Sequence, residues 1–230
     1  MYRRTMYRNL ALFDLDHTLL PIDSDYEWGE FLGRRGIVAM DAYRAQNEVF
    51  YRDYQAGTLD IFAFLRFALA PLARLPRADA ESLHAHYMHE VVQQQIRPAA
   101  LALVETHRAQ GDLCAVVTAT NAFVTAPIAV AFGIEHLVAT IPAQNAGRFT
   151  GEVRGTPCYR EGKIVRVAEW LETMGRSWES FERITFYSDS HNDLALLTHV
   201  NDPVATNADA TLGAEALRRG WRTLTLFDDH

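Results

Sequence analysis

Three short apolar runs, each breaking off at a cluster of reactive polar side chains, constrain this chain more than any other feature. Leu10-Ala11-Leu12-Phe13 stops at Asp14, Cys114-Ala115-Val116-Val117 at Thr118, and Ile184-Thr185-Phe186-Tyr187 at Ser188-Asp189. Runs of about four apolar or β-prone residues without polar alternation suit strands buried on both faces, the condition of a parallel sheet. Helical patterns lie between them, at 99–109, 122–132 and 164–174. Strands alternating with helices predict a three-layer α/β fold, a parallel sheet with helices on both faces. Ligands of such sheets bind beyond the carboxyl ends of the strands. The three polar clusters are therefore expected to converge on one edge.

The segment after the first strand has a different character. Ser24-Asp25-Tyr26-Glu27 reads as a capping box, with Ser24 capping a helix and Glu27 returning the bond. Helical stretches follow at 27–32, 40–57, 59–70 and 78–95, with Gly33, Gly36, Gly57, Pro71 and Pro76 as breakers. Residues 21–95 are expected to form an all-helical insertion over the end of the first strand, with 1–20 and 96–230 as the core. A second irregular stretch, 139–158, contains Asn145-Ala146-Gly147, a turn signal that predicts a β-hairpin.

Asp14-Leu15-Asp16-His17-Thr18 sets two carboxylates two residues apart just past a buried strand. Asp23-Ser24-Asp25 repeats the spacing but reads as a helix start, so placement gives the first pair its interest. There one carboxylate can attack as a nucleophile while the other handles protons. The alternative is a turn whose side chains bond their own backbone. In Ser188-Asp189-Ser190-His191-Asn192-Asp193, Asp189 is a candidate ligand for a hard cation, and Asp193 lies one helical turn on. Oxygen donors with few nitrogen or sulfur partners suit Mg²⁺ rather than Zn²⁺; N-capping by Asn192 or Asp193 is compatible with ligation. Thr118-Ala119-Thr120-Asn121 offers a hydroxyl and free backbone N–H groups at a helix start, a cradle for phosphate.

Lys163 is the only lysine; the other 21 of the 22 basic side chains are arginines. A compact ammonium meets a phosphoryl oxygen as a point charge, which a planar guanidinium does not. The bland alternative is chance retention in an exposed loop. Other candidates read more simply: His86 with Glu90 as a solvent-facing pair, Cys114 as a small buried hydrophobe, and Phe62, Leu65 and Leu69 as core. His17 lies near enough to the reactive pair to touch a ligand, or to point away.

Taken together, Phe13-Asp14-Leu15-Asp16-His17-Thr18-Leu19, Thr118, Lys163, and Asp189 with Asp193 resemble the four motifs of the haloacid dehalogenase superfamily of phosphohydrolases, in family order. A helical insertion after the first motif is similar to the phosphoserine-phosphatase-like branch, which includes phosphoserine and histidinol-phosphate phosphatases. The resemblance implies a Rossmann-like core with a helical cap and catalysis by Asp14, Asp16, Thr118 and Lys163. Asp14 would be the nucleophile, forming an aspartyl-phosphate. Asp16 would protonate the leaving alkoxide and then take a proton from water. Mg²⁺ would sit on the Asp14 and Asp189 carboxylates and the Asp16 main-chain carbonyl. Thr118 and Lys163 would hold phosphoryl oxygens, helped by Ala119, Asn121 and Asn192, while Asp193 orients Lys163 or a metal-bound water. Arg66 is the candidate match to a substrate-carboxylate arginine. Asp23 stands where phosphoserine phosphatases place a glutamate for the amino group, one methylene shorter. Tyr26, Trp28 and Tyr54 are candidates for an aromatic surface. These departures turn the expectation from phosphoserine toward histidinol phosphate.

Composition bounds the partners. A net charge of −7 argues against broad binding of nucleic acid or anionic membranes. No apolar run approaches the roughly 18 residues of a membrane span. Arg3, Arg4 and Arg8 precede an apolar stretch cut short by Asp14, so no export signal is expected. Two cysteines make neither a disulfide framework nor a metal site. The expected setting is cytoplasmic, with a small phosphorylated metabolite as ligand and no protein partner evident. A phosphoaccepting receiver carries its acceptor on a later strand and lacks the large insertion. A non-catalytic relative is expected to have lost one of Asp14, Asp16, Lys163 or Asp189. A phosphotransferase or mutase on the same scaffold stays open.

Overall fold

In the computed structural model, which describes residues 7–227, the first apolar run becomes the middle of the sheet; Arg3 and Arg4 lie outside the described residues. β1 (Asn9–Phe13) pairs in parallel with β2 (Leu113–Asn121) on one side and β5 (Arg183–Ser188) on the other. β3 (His136–Asn145) extends the sheet beyond β2, and β6 (Asp202–Thr206) and β7 (Arg222–Leu224) extend it beyond β5, all parallel. Antiparallel β4 (Arg148–Arg154) closes the β3 edge, giving the order β4-β3-β2-β1-β5-β6-β7. The chain steps outward from β1 in one direction and then the other, so the carboxyl end of β1 is a topological switch point. Between β3 and β4, Ala146 and Gly147 take φ of 46° and 78°, the left-handed pair of a tight hairpin turn, as the sequence predicts.

Every β1 side chain from Leu10 onward is at most 1% exposed, and they alternate between two layers. Ala11 and Phe13 pack with Val104 of α5 (Pro98–Ala109) and Val124 and Ile128 of α6 (Ala122–Ala131). Leu10 and Leu12 pack with Val167 and Leu171 of α7 (Glu161–Thr173), Leu196 of α8 (Leu194–His199) and Leu212 of α9 (Ala210–Arg219). Among the described residues no helix is long and apolar enough to cross a membrane.

Between β1 and α5 lie α1 (Ser24–Arg34), α2 (Met40–Gln55), α3 (Ile61–Arg74) and α4 (Arg77–Glu90), then a short 3-10 turn. Trp28, Phe31, Leu72 and Tyr87 from these helices join the same buried cluster as Phe13 and Val124, so helices and sheet share apolar surface. Several local readings change here. Asp23, not Ser24, caps α1, its Oδ1 accepting from the Asp25 and Tyr26 N–H groups at 2.9 Å each. A carboxylate accepts these amides more strongly than a hydroxyl, and the Ser24 N–H is committed to Asp16. Pro71 lies inside α3 instead of ending it; burial of Leu69, Pro71 and Leu72 offsets the lost backbone bond. Leu65 and Leu69 are core as expected, but Phe62, two residues past the Asp60 cap, is 48% exposed. His84 is buried against the Val124 carbonyl, and Glu90 pairs with Arg35, not with His86.

One approach in the fold sets up the site directly. A Cβ on Gly162, at the start of α7, would lie 2.1 Å from the Pro157 carbonyl oxygen. Gly162→Ala is expected to lower stability by about 1–3 kcal/mol, as overpacking does, read as a drop in the thermal midpoint, and to reduce turnover by displacing Lys163 beside it.

Candidate active site

The three strand ends deliver their clusters to one edge of the sheet, around a cavity of ≈ 490 Å³. Asp14 leaves β1 with its N–H on the Tyr187 carbonyl at 2.9 Å, which fixes it against β5. From the first turn of α7, Lys163 reaches in with only 3% of its surface exposed. Its Nζ lies 2.7 Å from Asp14 Oδ1 and 2.6 Å from Asp193 Oδ2, and the Ser188 hydroxyl donates to the same Asp193 oxygen. Burial works against the ammonium, but Asp14 and Asp193 outweigh it and hold Lys163 charged well above the usual lysine range. For Asp14, burial prevails over the pull of Lys163 and pushes its carboxyl up to about 7.

The Thr18 hydroxyl lies 3.0 Å from Asp189 Oδ1 and 3.4 Å from Asp14 Oδ2, so the two carboxylates face one another across it. Burial, then the charges of Asp14 and Asp193, raise Asp189 well above the carboxylate range. Uncompensated negative charge among oxygen donors fits a hard divalent cation. Asp14 and Asp189 can offer carboxylate oxygens and Asp16 its main-chain carbonyl. Two carboxylates and one main-chain carbonyl are a small set of oxygen donors, which suits Mg²⁺, a cation that keeps much of its water shell.

Asp16 Oδ1 accepts the Ser24 N–H and Oδ2 the Thr120 hydroxyl, each at 2.8 Å. Burial, with Asp23 adding, raises its carboxyl to about 6. The turn that carries it is strained: His17 has φ 57°. Asn207 Nδ2 steadies it, donating to the His17 and Thr18 carbonyls at 2.9 and 3.3 Å. His17 itself is exposed and lines the cavity.

Thr118, Ala119 and Asn192 also line the cavity, but two substrate candidates do not. Asn121 caps α6 through Oδ1 on the Val124 N–H, and its Nδ2 donates to Asp25 at 3.2 Å, so both ends of the amide are engaged. Arg66 is exposed and outside the cavity, because α3 turns Leu65, Ala68 and Leu69 inward. Asn192 is a clamp: its Oδ1 accepts from Tyr159 and Arg160, and its Nδ2 donates to the Tyr54 carbonyl. Trp28, 1% exposed, belongs to the core; Tyr26 and Tyr54 line the cavity with Phe50, Tyr51, Phe64 and Tyr159.

Sequence reasoning missed Asp25, Thr120 and Arg160. Thr120 carries a faint signal, a second hydroxyl in a cluster already read as a cradle. Arg160 carries none; with φ 51° it donates to Asn192 and to the Gly57 carbonyl, tying α7 to the end of α2. Asp25 passes in sequence for an ordinary first-turn acid but is 7% exposed and lines the cavity.

A family model for haloacid dehalogenase-like hydrolases matches residues 11–198. A histidinol-phosphatase of Neisseria meningitidis is 45% identical over 94% of this chain and 98% of its own length. A phosphoserine phosphatase of Mycobacterium tuberculosis is 29% identical over 92% of this chain and 68% of its own. Among solved structures, a Bordetella pertussis protein of unknown function superposes with TM-score 0.92 at 46% identity, covering 96% of this chain and 100% of its own. A substrate-bound phosphoserine phosphatase reaches TM-score 0.66 at 17% identity, covering 97% and 94%, a likeness of fold alone.

Burial, then the charges of Asp23 and Asp16, raise the Asp25 carboxyl to about 8 against the single bond from Asn121. The folded state thus holds a proton that the unfolded chain releases near pH 4, and stability falls as pH rises from about 4 toward 8. Asp25→Asn removes that dependence. The variant's thermal midpoint is expected to exceed wild type at pH 8, with the gap narrowing toward pH 4.

Proposed function

The chain belongs to the haloacid dehalogenase-like hydrolases and is a phosphatase of that family; from that premise we propose that it hydrolyses histidinol phosphate, with residues 21–95 as a cap over the core. Asp14 attacks phosphorus, the bond to the leaving oxygen breaks, and Asp16 passes its proton to the departing alkoxide. Asp16 then takes a proton from the water that releases phosphate from Asp14. Asp16 suits the role because its carboxylate holds only a main-chain N–H and a hydroxyl. Thr118 and Lys163 neutralise the phosphoryl oxygens, and Asp193 keeps Lys163 aimed. Asp14, Asp189 and the Asp16 carbonyl would hold Mg²⁺, which would supply charge neutralisation at the phosphoryl group.

The observation that carries the choice of substrate is the cavity wall. Among the described lining residues Lys163 is the one Lys or Arg side chain, and it serves the phosphoryl end. A substrate carboxylate meets no further Lys or Arg among the described lining residues, which disfavours phosphoserine. Histidinol phosphate has an amine and an imidazole ring but no carboxylate, and the cavity offers Tyr26, Tyr51 and Phe64 as ring surfaces. The name of the 45% identical relative supports the same choice.

Phosphate release across a panel of histidinol phosphate, phosphoserine, sugar phosphates, nucleotides and glycerol phosphates tests the reading. Histidinol phosphate is expected to lead, with turnover abolished by EDTA and restored by Mg²⁺. Asp14→Asn is expected to cut turnover by more than about a thousand-fold. Lys163→Arg, which loses the point charge, is expected to cut it by roughly a hundred-fold. Turnover surviving in Asp14→Asn removes the nucleophile assignment, and phosphoserine outpacing histidinol phosphate removes the substrate.

A further inference from the structure

Asp25 is a buried carboxylate on the cavity that the chemistry above leaves unused. It sits in the first turn of α1, 7% exposed, one residue after the N–H that holds Asp16. An acid at a helix N-terminus is ordinarily a solvated partner of the helix dipole; this one is withdrawn from solvent and lines the cavity. Among the described residues Asn121 Nδ2, at 3.2 Å, is the one hydrogen-bond partner of its side chain, and it touches only Oδ1.

The groups facing Asp25 do not neutralise it. At the cap of its own helix, Asp23 accepts two α1 amides through Oδ1 and adds negative charge. Asp16 from the turn after β1 adds negative charge. Tyr43, packed against α1 from α2, is a neutral phenol pushed up by burial, with the Asp25 charge adding, and offers no cation. Asn121, from the end of β2, gives one neutral bond. A carboxylate buried beside like charges and lacking a cation is destabilising unless a ligand supplies one.

We propose that Asp25 is the specificity-determining residue of the cavity, recognising a protonated nitrogen on the organic part of the phosphomonoester. Asn121 holds Oδ1 and leaves Oδ2 for that nitrogen. The cavity thus has two ends of opposite demand: Lys163 and Thr118 take the phosphoryl anion, and Asp25 takes the substrate cation. Asp23 also lines the cavity, but its Oδ1 caps α1 and its side chain is less buried than that of Asp25, so the Asp23→Asn variant serves as the control. The inference deepens the histidinol phosphate reading and rests on it for the phosphatase chemistry, while its content is the charge preference itself.

The test compares kcat/KM of the full chain for 2-aminoethyl and 3-aminopropyl phosphate against ethyl and propyl phosphate, with histidinol phosphate alongside. Wild type is expected to prefer the amine-bearing esters by roughly ten- to a hundred-fold, as suits a charged hydrogen bond. In Asp25→Asn most of that ratio is expected to vanish, through KM more than kcat. Asp25→Ser provides the same reading should the asparagine variant not fold. Wild type without an amine preference overturns the proposal, as does a variant that keeps it, or a preference lost in Asp23→Asn and kept in Asp25→Asn. An amine preference that depends on Asp25, with histidinol phosphate left untouched, removes the substrate reading and supports the assignment of Asp25.

Discussion

The ion set of Lys163 with Asp14 and Asp193 is the interaction on which the rest of the structure depends. Its three members come from α7, the residue just past β1 and the turn after β5, all within 7% exposure. Removing one member of a buried ion pair costs about 3–5 kcal/mol, a large share of the roughly 5–15 kcal/mol that holds a domain together. The parallel pairing of β1 with β5, the missing Cβ at Gly162 and the left-handed backbone at Arg160 all bear on whether the ammonium arrives between the carboxylates. Fold and chemistry are therefore one constraint at this point.

The helices between β1 and α5 are tied to the same centre. Tyr54 donates through its hydroxyl to Ser190 at 2.7 Å, Asn192 donates to the Tyr54 carbonyl, and Arg160 donates to the Gly57 carbonyl. Asn192 and Ser190 neighbour Asp189 and Asp193 in the chain, so the end of α2 is anchored on the loop that supplies the acidic groups. The aromatic wall of the cavity is set by that anchorage as much as by the packing of α2 on α3 through Phe50, Phe64 and Phe67.

The sheet and the convergence of its strand-end clusters were legible because each leaves a mark that survives without its neighbours. A strand buried on both faces reads as an uninterrupted apolar run, and Lys163 stands out against 21 arginines. What failed depends on partners far away in sequence. Asn121 looks free until Asp25, 96 residues earlier, is set beside it. Arg66 looks available until α3 chooses which face to bury, and Ser24 looks like a cap until Asp16 claims its N–H. Asp25 shows the limit most clearly. Its type and position fit an ordinary helix start, and only tertiary burial makes it unusual.

Having a single lysine, and that one 3% exposed, shapes the surface as well as the interior. Every other basic side chain of this protein is a guanidinium or an imidazole, which acylating and amine-crosslinking reagents leave largely untouched. The side-chain amine has one address, on the cavity wall between Asp14 and Asp193. An acyl group found on Lys163 therefore records a reagent small enough to enter that cavity, and the outer surface of the folded protein presents no lysine handle to ubiquitin transfer.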